Sequence, residues 1–92
     1  MPFKVSLRSR RVQRELDAVE QTDYERLLRA LRLLEQEPRP VGNKRLYDSV
    51  YRIRVGPWRV VYKVDDAKQL VEVGGILRRN EGTYRDIDSL FS

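Results

Sequence analysis

The sequence predicts an α+β fold in which two antiparallel helices pack on one face of a small, mainly antiparallel β-sheet. The first half of the chain carries two apolar stripes with helical spacing, and the second half alternates apolar and polar residues as strands do. A Gly-Pro pair between two alternating segments is typical of a tight hairpin turn. With 92 residues and no linker or repeat, the chain is expected to form one domain, 1–92.

The first half predicts one strand followed by a helical hairpin. Residues 3–7 alternate apolar and polar side chains, as a half-buried strand does. Ser9 is a candidate cap for a first helix, whose apolar stripe is Val12, Leu16 and Val19. Thr22 and Glu25 match a capping box for a second helix, which Pro38 would end. The stripe of this second helix is Tyr24, Leu27, Leu28, Leu31 and Leu34.

The second half predicts three strands. Segments 51–55 and 58–64 alternate on either side of Gly56-Pro57, a pair that suits a type II′ turn. An acidic turn then leads to a last strand, 70–77. The predicted order is therefore β-α-α-β-β-β, with a candidate short C-terminal helix over 83–91.

The two-residue turn also predicts which side chains share a face of the sheet. Because such a turn sets the register, Arg54 is expected opposite Arg59. The face toward the helices would then carry Tyr51, Ile53, Val55, Trp58, Val60 and Tyr62. The other face would carry Arg52, Arg54, Arg59, Val61 and Lys63.

Alternation in the last strand extends this assignment. If its valines face the core, Gly74, Ile76 and Arg78 lie on the face of the arginines. The alternation need not continue beyond Leu77, so Arg79 in place of Arg78 is the alternative. The Gly74-Gly75 pair predicts one of two features. It is either a bulge, or a bare patch that a backbone or a base can approach closely.

The composition predicts a basic protein without a zinc site. Lys and Arg total 19 against 14 Asp and Glu, and 15 of the 19 are arginine, whose planar guanidinium binds phosphate bidentately. This favours a nucleic-acid partner, with a solvated basic surface as the alternative. No cysteine or histidine is present, which excludes a disulfide and the commonest metal ligands. No apolar run approaches the ~20 residues of a membrane span, and the N-terminus lacks the order of a signal peptide, so we expect a cytoplasmic protein without a membrane partner.

The arginines of the hairpin predict a phosphate-binding face. Arg54 directly opposite Arg59, with Arg52 beside them, is a local cost because like charges repel across a sheet. A bound anion would turn that repulsion into attraction. The alternative is that each arginine pairs with a carboxylate, such as Glu72 or Glu81, or points into water.

Three segments together resemble the RelE/ParE toxin superfamily. They are PRPVGNKRL from Pro38, YRIRVGPWRVVYKV from Tyr51, and LRRNEGTYRD from Leu77. The resemblance covers nearly the whole chain. It implies a toxin of a type II toxin–antitoxin system that cleaves mRNA in the ribosomal A site without metal or cofactor. It also implies a protein antitoxin, encoded alongside, and a toxin–antitoxin hetero-oligomer.

The resemblance also implies roles for individual residues. In RelE-like nucleases the basic residues of the hairpin and a C-terminal arginine and tyrosine carry activity. It therefore implies Arg59, Arg79 and Tyr84 as catalytic residues. It also implies Arg52 and Arg54 as RNA-binding residues, and the expected shared face of the sheet adds Arg78 and Lys63 to them.

The expected chemistry is attack of a ribose 2′-OH on the neighbouring phosphate, with Arg59 and Arg79 stabilising the charge that develops there. The first two hairpin positions are lysine in the best-understood nuclease and arginine here. Arginine does not deprotonate in a protein, which leaves Tyr84 as the candidate general base. Packing, or stacking against a base, is the alternative role for Tyr84.

Two other functions stay open. ParE-like members share the fold and inhibit DNA gyrase, although the convergent arginines favour the nuclease. A third alternative is an inactive relative that only binds its antitoxin. In each case the antitoxin is expected to present an acidic, flexible segment, and segment 83–91 is either an element that the antitoxin displaces or pins or an ordinary packed helix.

Overall fold

The computed structural model describes residues 2–78 together with Leu90 and Phe91. Within these residues, seven elements follow one another: β1 (Lys4–Leu7), α1 (Arg10–Asp17), α2 (Gln21–Gln36), β2 (Lys44–Tyr47), β3 (Val50–Val55), β4 (Trp58–Asp65) and β5 (Leu70–Arg78). The strands form one sheet in the order β1-β5-β4-β3-β2. Only the pairing of β1 with β5 is parallel. The predicted α+β class is confirmed, and the sheet has one more strand, β2, than the sequence predicted.

Both helices pack on the same face of the sheet and close the main core. The predicted stripes are confirmed for Val12, Leu16, Leu27, Leu31 and Leu34, which are all buried. Val19 lies beyond the end of α1 and is only partly buried. They pack against buried residues of the central strands, namely Ile53, Val60, Tyr62, Val64, Val71, Val73 and Ile76. Burial of each such side chain stabilises the fold by about 1.5–3 kcal/mol. No helix of the described ranges is both long and apolar enough to cross a membrane.

The helix starts differ in part from the prediction. Ser9 is the N-cap of α1, but its backbone carbonyl rather than its side chain accepts the first hydrogen bonds. The predicted capping box of α2 is wrong. This helix begins at Gln21 with Glu20 as N-cap, which places Thr22 inside the first turn. Gln21 instead donates a 3.3 Å side-chain hydrogen bond to Glu25.

The β3–β4 hairpin has the predicted register. Val55 lies opposite Trp58 and Arg54 opposite Arg59, as a two-residue loop requires. Gly56 has a φ of +58°, which the first central position of a type II′ turn needs and a glycine adopts without strain. The face predicted to meet the helices does so.

A bulge in β5 corrects the predicted faces of its second half. Val61 lies opposite Gly75 and Tyr62 opposite Val73, so that Gly74 is the extra residue. Beyond the bulge the alternation is reversed. Ile76 therefore lies in the helix-side core, and Leu77 lies on the opposite face.

Two side chains of α1 hold this bulge. The Arg11 guanidinium donates a 2.8 Å hydrogen bond to the carbonyl of Gly74, and the N–H of Ile76 donates a 3.0 Å hydrogen bond to the Glu15 carboxylate. Arg11 and Glu15 also form a 2.7 Å ion pair with each other. A bulge leaves backbone groups without partners in the neighbouring strand, and these hydrogen bonds supply partners for the Gly74 carbonyl and the Ile76 N–H.

Candidate functional site

The face of the sheet that lies away from the helices is rich in cations, and we call it the basic face. Arg54 lies opposite Arg59, and Lys44 of β2 lies opposite Arg52. Directly opposed residues point to the same side of a sheet, so their charges are concentrated there. The basic face comprises Lys44, Arg52, Arg54, Arg59 and Lys63. Such a concentration of positive charge attracts anions.

Arg52 is the buried member of the basic face. Its exposed fraction is 8%, which makes it the one buried charged residue in the part of the chain that the structure describes. Its Nε has no hydrogen-bond partner among those same residues. A buried donor without an acceptor is costly, typically by about 1–3 kcal/mol. An anionic oxygen that reached this covered nitrogen would remove that cost.

The centre of the basic face is apolar. Val50 and Val61 are buried there, and Leu46, Tyr47 and Leu77 surround them; we call these five residues the apolar strip. Leu90 and Phe91 pack on the strip, with Leu90 only 9% exposed. The rest of the candidate C-terminal helix over 83–91 lies outside the described residues. The basic face therefore places cations beside a covered apolar centre.

The two glycines of β5 make room for this cover. A β-carbon on Gly74 would lie 2.5 Å from Cζ of Phe91, and one on Gly75 would lie 3.1 Å from a methyl group of Leu90. The predicted bulge is therefore confirmed, whereas the close approach of a base to the bare patch stays a prediction. Gly74 is a bulge residue, and the bare patch admits the chain's own side chains.

Arg8 and Glu72 border the basic face beside β1. Glu72 lies opposite Lys63, so it points to the same side. Its carboxylate forms a 2.9 Å ion pair with Arg8, whose guanidinium carbon lies 5.8 Å from the centroid of the Phe91 ring. Glu72, which the sequence offered as a partner for the hairpin arginines, thus pairs with Arg8. Glu81 lies outside the described residues.

Arg78 does not lie on the basic face, which corrects its predicted position. Its guanidinium carbon lies 4.7 Å from the centroid of the Trp58 ring, on the side of the helices. Trp58 in turn donates a 3.0 Å hydrogen bond to Asp23 of α2. The bulge at Gly74 is the cause, because it reverses the alternation that was expected to continue to Arg78.

Of the three expected catalytic residues, the structure places one. Arg59 lies half-buried on the basic face, whereas Arg79 and Tyr84 lie outside the described residues. Tyr62 is no substitute as a base. Burial raises the pKa of the Tyr62 phenol well above its ordinary value, and its hydroxyl donates a 2.7 Å hydrogen bond to the carbonyl of Pro38.

Arg39 connects the segment after α2 to the sheet. It forms a bidentate ion pair with Asp66, at 2.7 and 3.1 Å, and donates a 2.9 Å hydrogen bond from Nε to the Tyr51 hydroxyl. The hydrogen bonds from Arg39 hold the pKa of the Asp66 carboxyl below its ordinary value. This contact ties the segment that precedes β2, and with it Lys44, to the central strands.

Residues 7–82 match the model of the family described as ParE toxin of type II toxin–antitoxin system, parDE. The chain belongs to the RelE/ParE superfamily of type II toxins. The comparison with curated protein sequences gave no match.

Solved structures of RelE toxins share the fold of this toxin. A chain of the archaeal RelE–RelB complex from Pyrococcus horikoshii OT3 has a TM-score of 0.77 at 24% identity, over 89% of this chain and 100% of that one. A mutant of E. coli toxin RelE in the free state has a TM-score of 0.76 at 24% identity, and the match covers 97% of this chain and 93% of that one. A chain of the intact E. coli RelBE complex has a TM-score of 0.71 at 28% identity, and the match covers 83% of this chain and 95% of that one.

Sequence reasoning missed two basic residues that border the site. Lys44 was missed because the short strand β2 was not predicted. The pattern that could have indicated Lys44 is the Lys-Arg pair that follows the loop after Pro40. Arg8 was missed because it directly follows β1, which pairs with the distant β5. No local pattern reveals a pairing across so many residues.

Proposed function

We propose that this toxin is a metal-independent endoribonuclease that cuts mRNA on the ribosome and so inhibits translation. The observation that carries the proposal is Arg52, a buried guanidinium whose Nε has no partner among the described residues, next to the opposed pair Arg54 and Arg59. Phosphate oxygens are suitable acceptors for these donors. The fold shared with a structure named RelE, 28% identical to this chain, agrees with the proposal, but the convergent arginines rather than the fold favour the nuclease over a ParE-like function.

The proposed reaction is a transesterification within RNA. The ribose 2′-oxygen forms a bond to the neighbouring phosphorus, and the bond from phosphorus to the 5′-oxygen breaks. The 2′-OH proton passes to a base and a proton reaches the leaving 5′-oxygen, which yields a 2′,3′-cyclic phosphate and a 5′-hydroxyl. Arg59 stabilises the charge on the phosphate oxygens, and Arg52, Arg54, Lys44 and Lys63 hold the flanking backbone.

The proposed roles of Arg79 and Tyr84 rest on the family resemblance alone. Arg79 would share the charge stabilisation with Arg59. Tyr84 would accept the proton or stack against a base. Arg78 is left out of the RNA contacts, because it stacks on Trp58 on the other face of the sheet.

The test is controlled expression in bacteria while translation, mRNA integrity and DNA supercoiling are followed. The wild type should cut mRNA and stop translation, and Arg59→Ala should do neither while still folding. Arg29→Ala is the matched control, because this exposed arginine lies on α2 in the helical layer. A fully toxic Arg59→Ala would contradict the assignment.

The second candidate function is inhibition of DNA gyrase. The family model that matches residues 7–82 carries the name ParE, which is the observation in its favour. The same cultures distinguish the two functions. Loss of supercoiling with intact mRNA would select the gyrase inhibitor, and no effect on growth would select an inactive relative.

We further propose a protein antitoxin as the partner of this toxin in the cytoplasm. Several matching structures are toxin–antitoxin complexes. An acidic, flexible segment of the antitoxin would cover the basic face and either displace or pin segment 83–91. The toxin should co-purify with the product of its adjacent gene, and salt should slow their association without separating the complex. Failure of any adjacent gene product to bind would count against the proposal.

A further inference from the structure

The Phe91 ring fills a slot that fits a flat aromatic group. A β-carbon on Gly74 would lie 2.5 Å from Cζ and 2.8 and 2.9 Å from the two Cε atoms, so the far edge of the ring occupies the space of the missing side chain. The guanidinium carbon of Arg8 lies 5.8 Å from the ring centroid. We call the space between Gly74 and Arg8 the glycine slot.

Arg8 is held beside the Phe91 ring by a carboxylate of the sheet. Its ion pair with Glu72, at 2.9 Å, ties the planar guanidinium to β5. Guanidinium planes stack on nucleobases as well as on aromatic side chains. The Phe91 ring thus lies in contact with a group that would recognise a base equally well.

The surroundings of the glycine slot fit an RNA strand. The apolar strip continues from the slot across the basic face, and the cations Arg52, Arg54 and Arg59 lie beyond it. A cationic surface for phosphates beside stacking positions for bases is the usual design of single-strand binding sites.

We propose that the glycine slot binds a nucleobase of the RNA substrate and that the Phe91 ring is an intramolecular competitor for this space. The inference rests on the proposed function, because it assigns a base to the RNA whose phosphates meet the basic face. Phe91 is only half-buried, so its ring is held less firmly than the fully buried side chains of the core. A base that replaces it keeps the contact with Arg8 and adds phosphate contacts to the cations.

The test measures binding of a short single-stranded 2′-O-methyl RNA by fluorescence anisotropy, since this probe has no free 2′-OH to attack the phosphate. Phe91→Ala should bind the RNA at least about fivefold more tightly than the wild type, the range expected for one stacked base. Leu33→Ala is the matched control, because it removes an exposed apolar side chain from α2 on the other side of the sheet, and it should bind like the wild type. The gain of Phe91→Ala should disappear with a fully abasic strand.

Two second-site changes locate the effect. Gly74→Ala in the Phe91→Ala background fills the slot with a methyl group and should abolish the gain. Arg8→Lys in the same background keeps the charge but removes the stacking plane, and it should lose most of the gain.

Three results would overturn the glycine slot. They are equal or weaker binding by Phe91→Ala, a gain that persists with the abasic strand, and no binding by either protein. The proposed function is judged separately by mRNA cleavage in cells. Cleavage by the wild type together with equal RNA binding by the two proteins would reject the slot and leave the nuclease in place.

Discussion

The two faces of the sheet are built from the same strands but hold together in different ways. On the helix side, Leu27, Val60 and Tyr62 are completely buried in one continuous core. On the basic face, the buried residues Val50 and Val61 form a small apolar centre that two residues of the chain's end cover. The first face is organised by apolar packing, whereas the second concentrates charge.

This difference indicates that the helix-side core stabilises the fold, whereas the basic face serves to bind a ligand. The helix-side core needs only its own residues to be complete. The basic face keeps a buried guanidinium with an unpartnered donor, which disfavours the isolated chain, and a slot that is filled by a partly exposed ring. Features that weaken a protein by itself are expected where a ligand contributes the missing contacts.

The largest expected effect comes from a cavity in the helix-side core. Leu27→Ala should lower the free energy of unfolding by about 2–5 kcal/mol, because Leu27 has no exposed surface. Leu77→Ala on the apolar strip should cost less than half as much, since Leu77 is only partly buried. Urea unfolding of both variants measures the difference. Equal losses would contradict the division into a stable face and a functional face.

The next effect should come from the contact between α1 and the bulge. Glu15→Ala removes the acceptor of the Ile76 N–H and the ion-pair partner of Arg11, and should lower the free energy of unfolding by about 1–3 kcal/mol. Glu25→Ala is the control, because its hydrogen bond to Gln21 is exposed, and it should change stability by less than about 0.5 kcal/mol. A Glu15→Ala variant as stable as the control would show that the ladder holds the bulge unaided.

Arg52 tests whether charge is retained on the basic face at the expense of stability. Arg52→Met replaces a buried guanidinium by an apolar chain of similar length, and should leave stability unchanged or raise it by about 1 kcal/mol. The same variant should lose toxicity. Thermal unfolding and growth assays on one preparation supply both measurements, and a strongly destabilised variant would assign Arg52 to the core.

The smallest effect concerns pH and the contact of Arg39 with Asp66. The hydrogen bonds from Arg39 lower the pKa of Asp66 in the folded state. Their contribution to the free energy of unfolding is therefore fully present above the ordinary pKa of about 4. It is lost as the pH falls through the lower pKa of the folded state. The stability advantage of the wild type over Asp66→Asn should therefore shrink below about pH 4. Asp17→Asn, which alters a hydrogen bond with Gln13 in α1, is the control. An advantage that is constant across this range would contradict the ion pair.

The sequence by itself determined the features that depend on near neighbours along the chain. The helical stripes follow from the spacing of residues such as Val12 and Leu16, and the opposition of Arg54 and Arg59 follows from a loop of two residues. A turn this short leaves one register, and alternation then assigns every side chain of the hairpin to a face. The arginine cluster was predictable for the same reason.

Only the tertiary structure decided the features that depend on distant partners. The bulge at Gly74 is held by Arg11 and Glu15, about sixty residues earlier in the chain, and it moved Ile76 and Arg78 to the helix side. Phe91 reaches the glycine slot from the end of the described chain. Hydrogen bonds and packing across such separations depend on the whole fold, because the alternation of residues within one strand does not reveal which distant groups lie beside it.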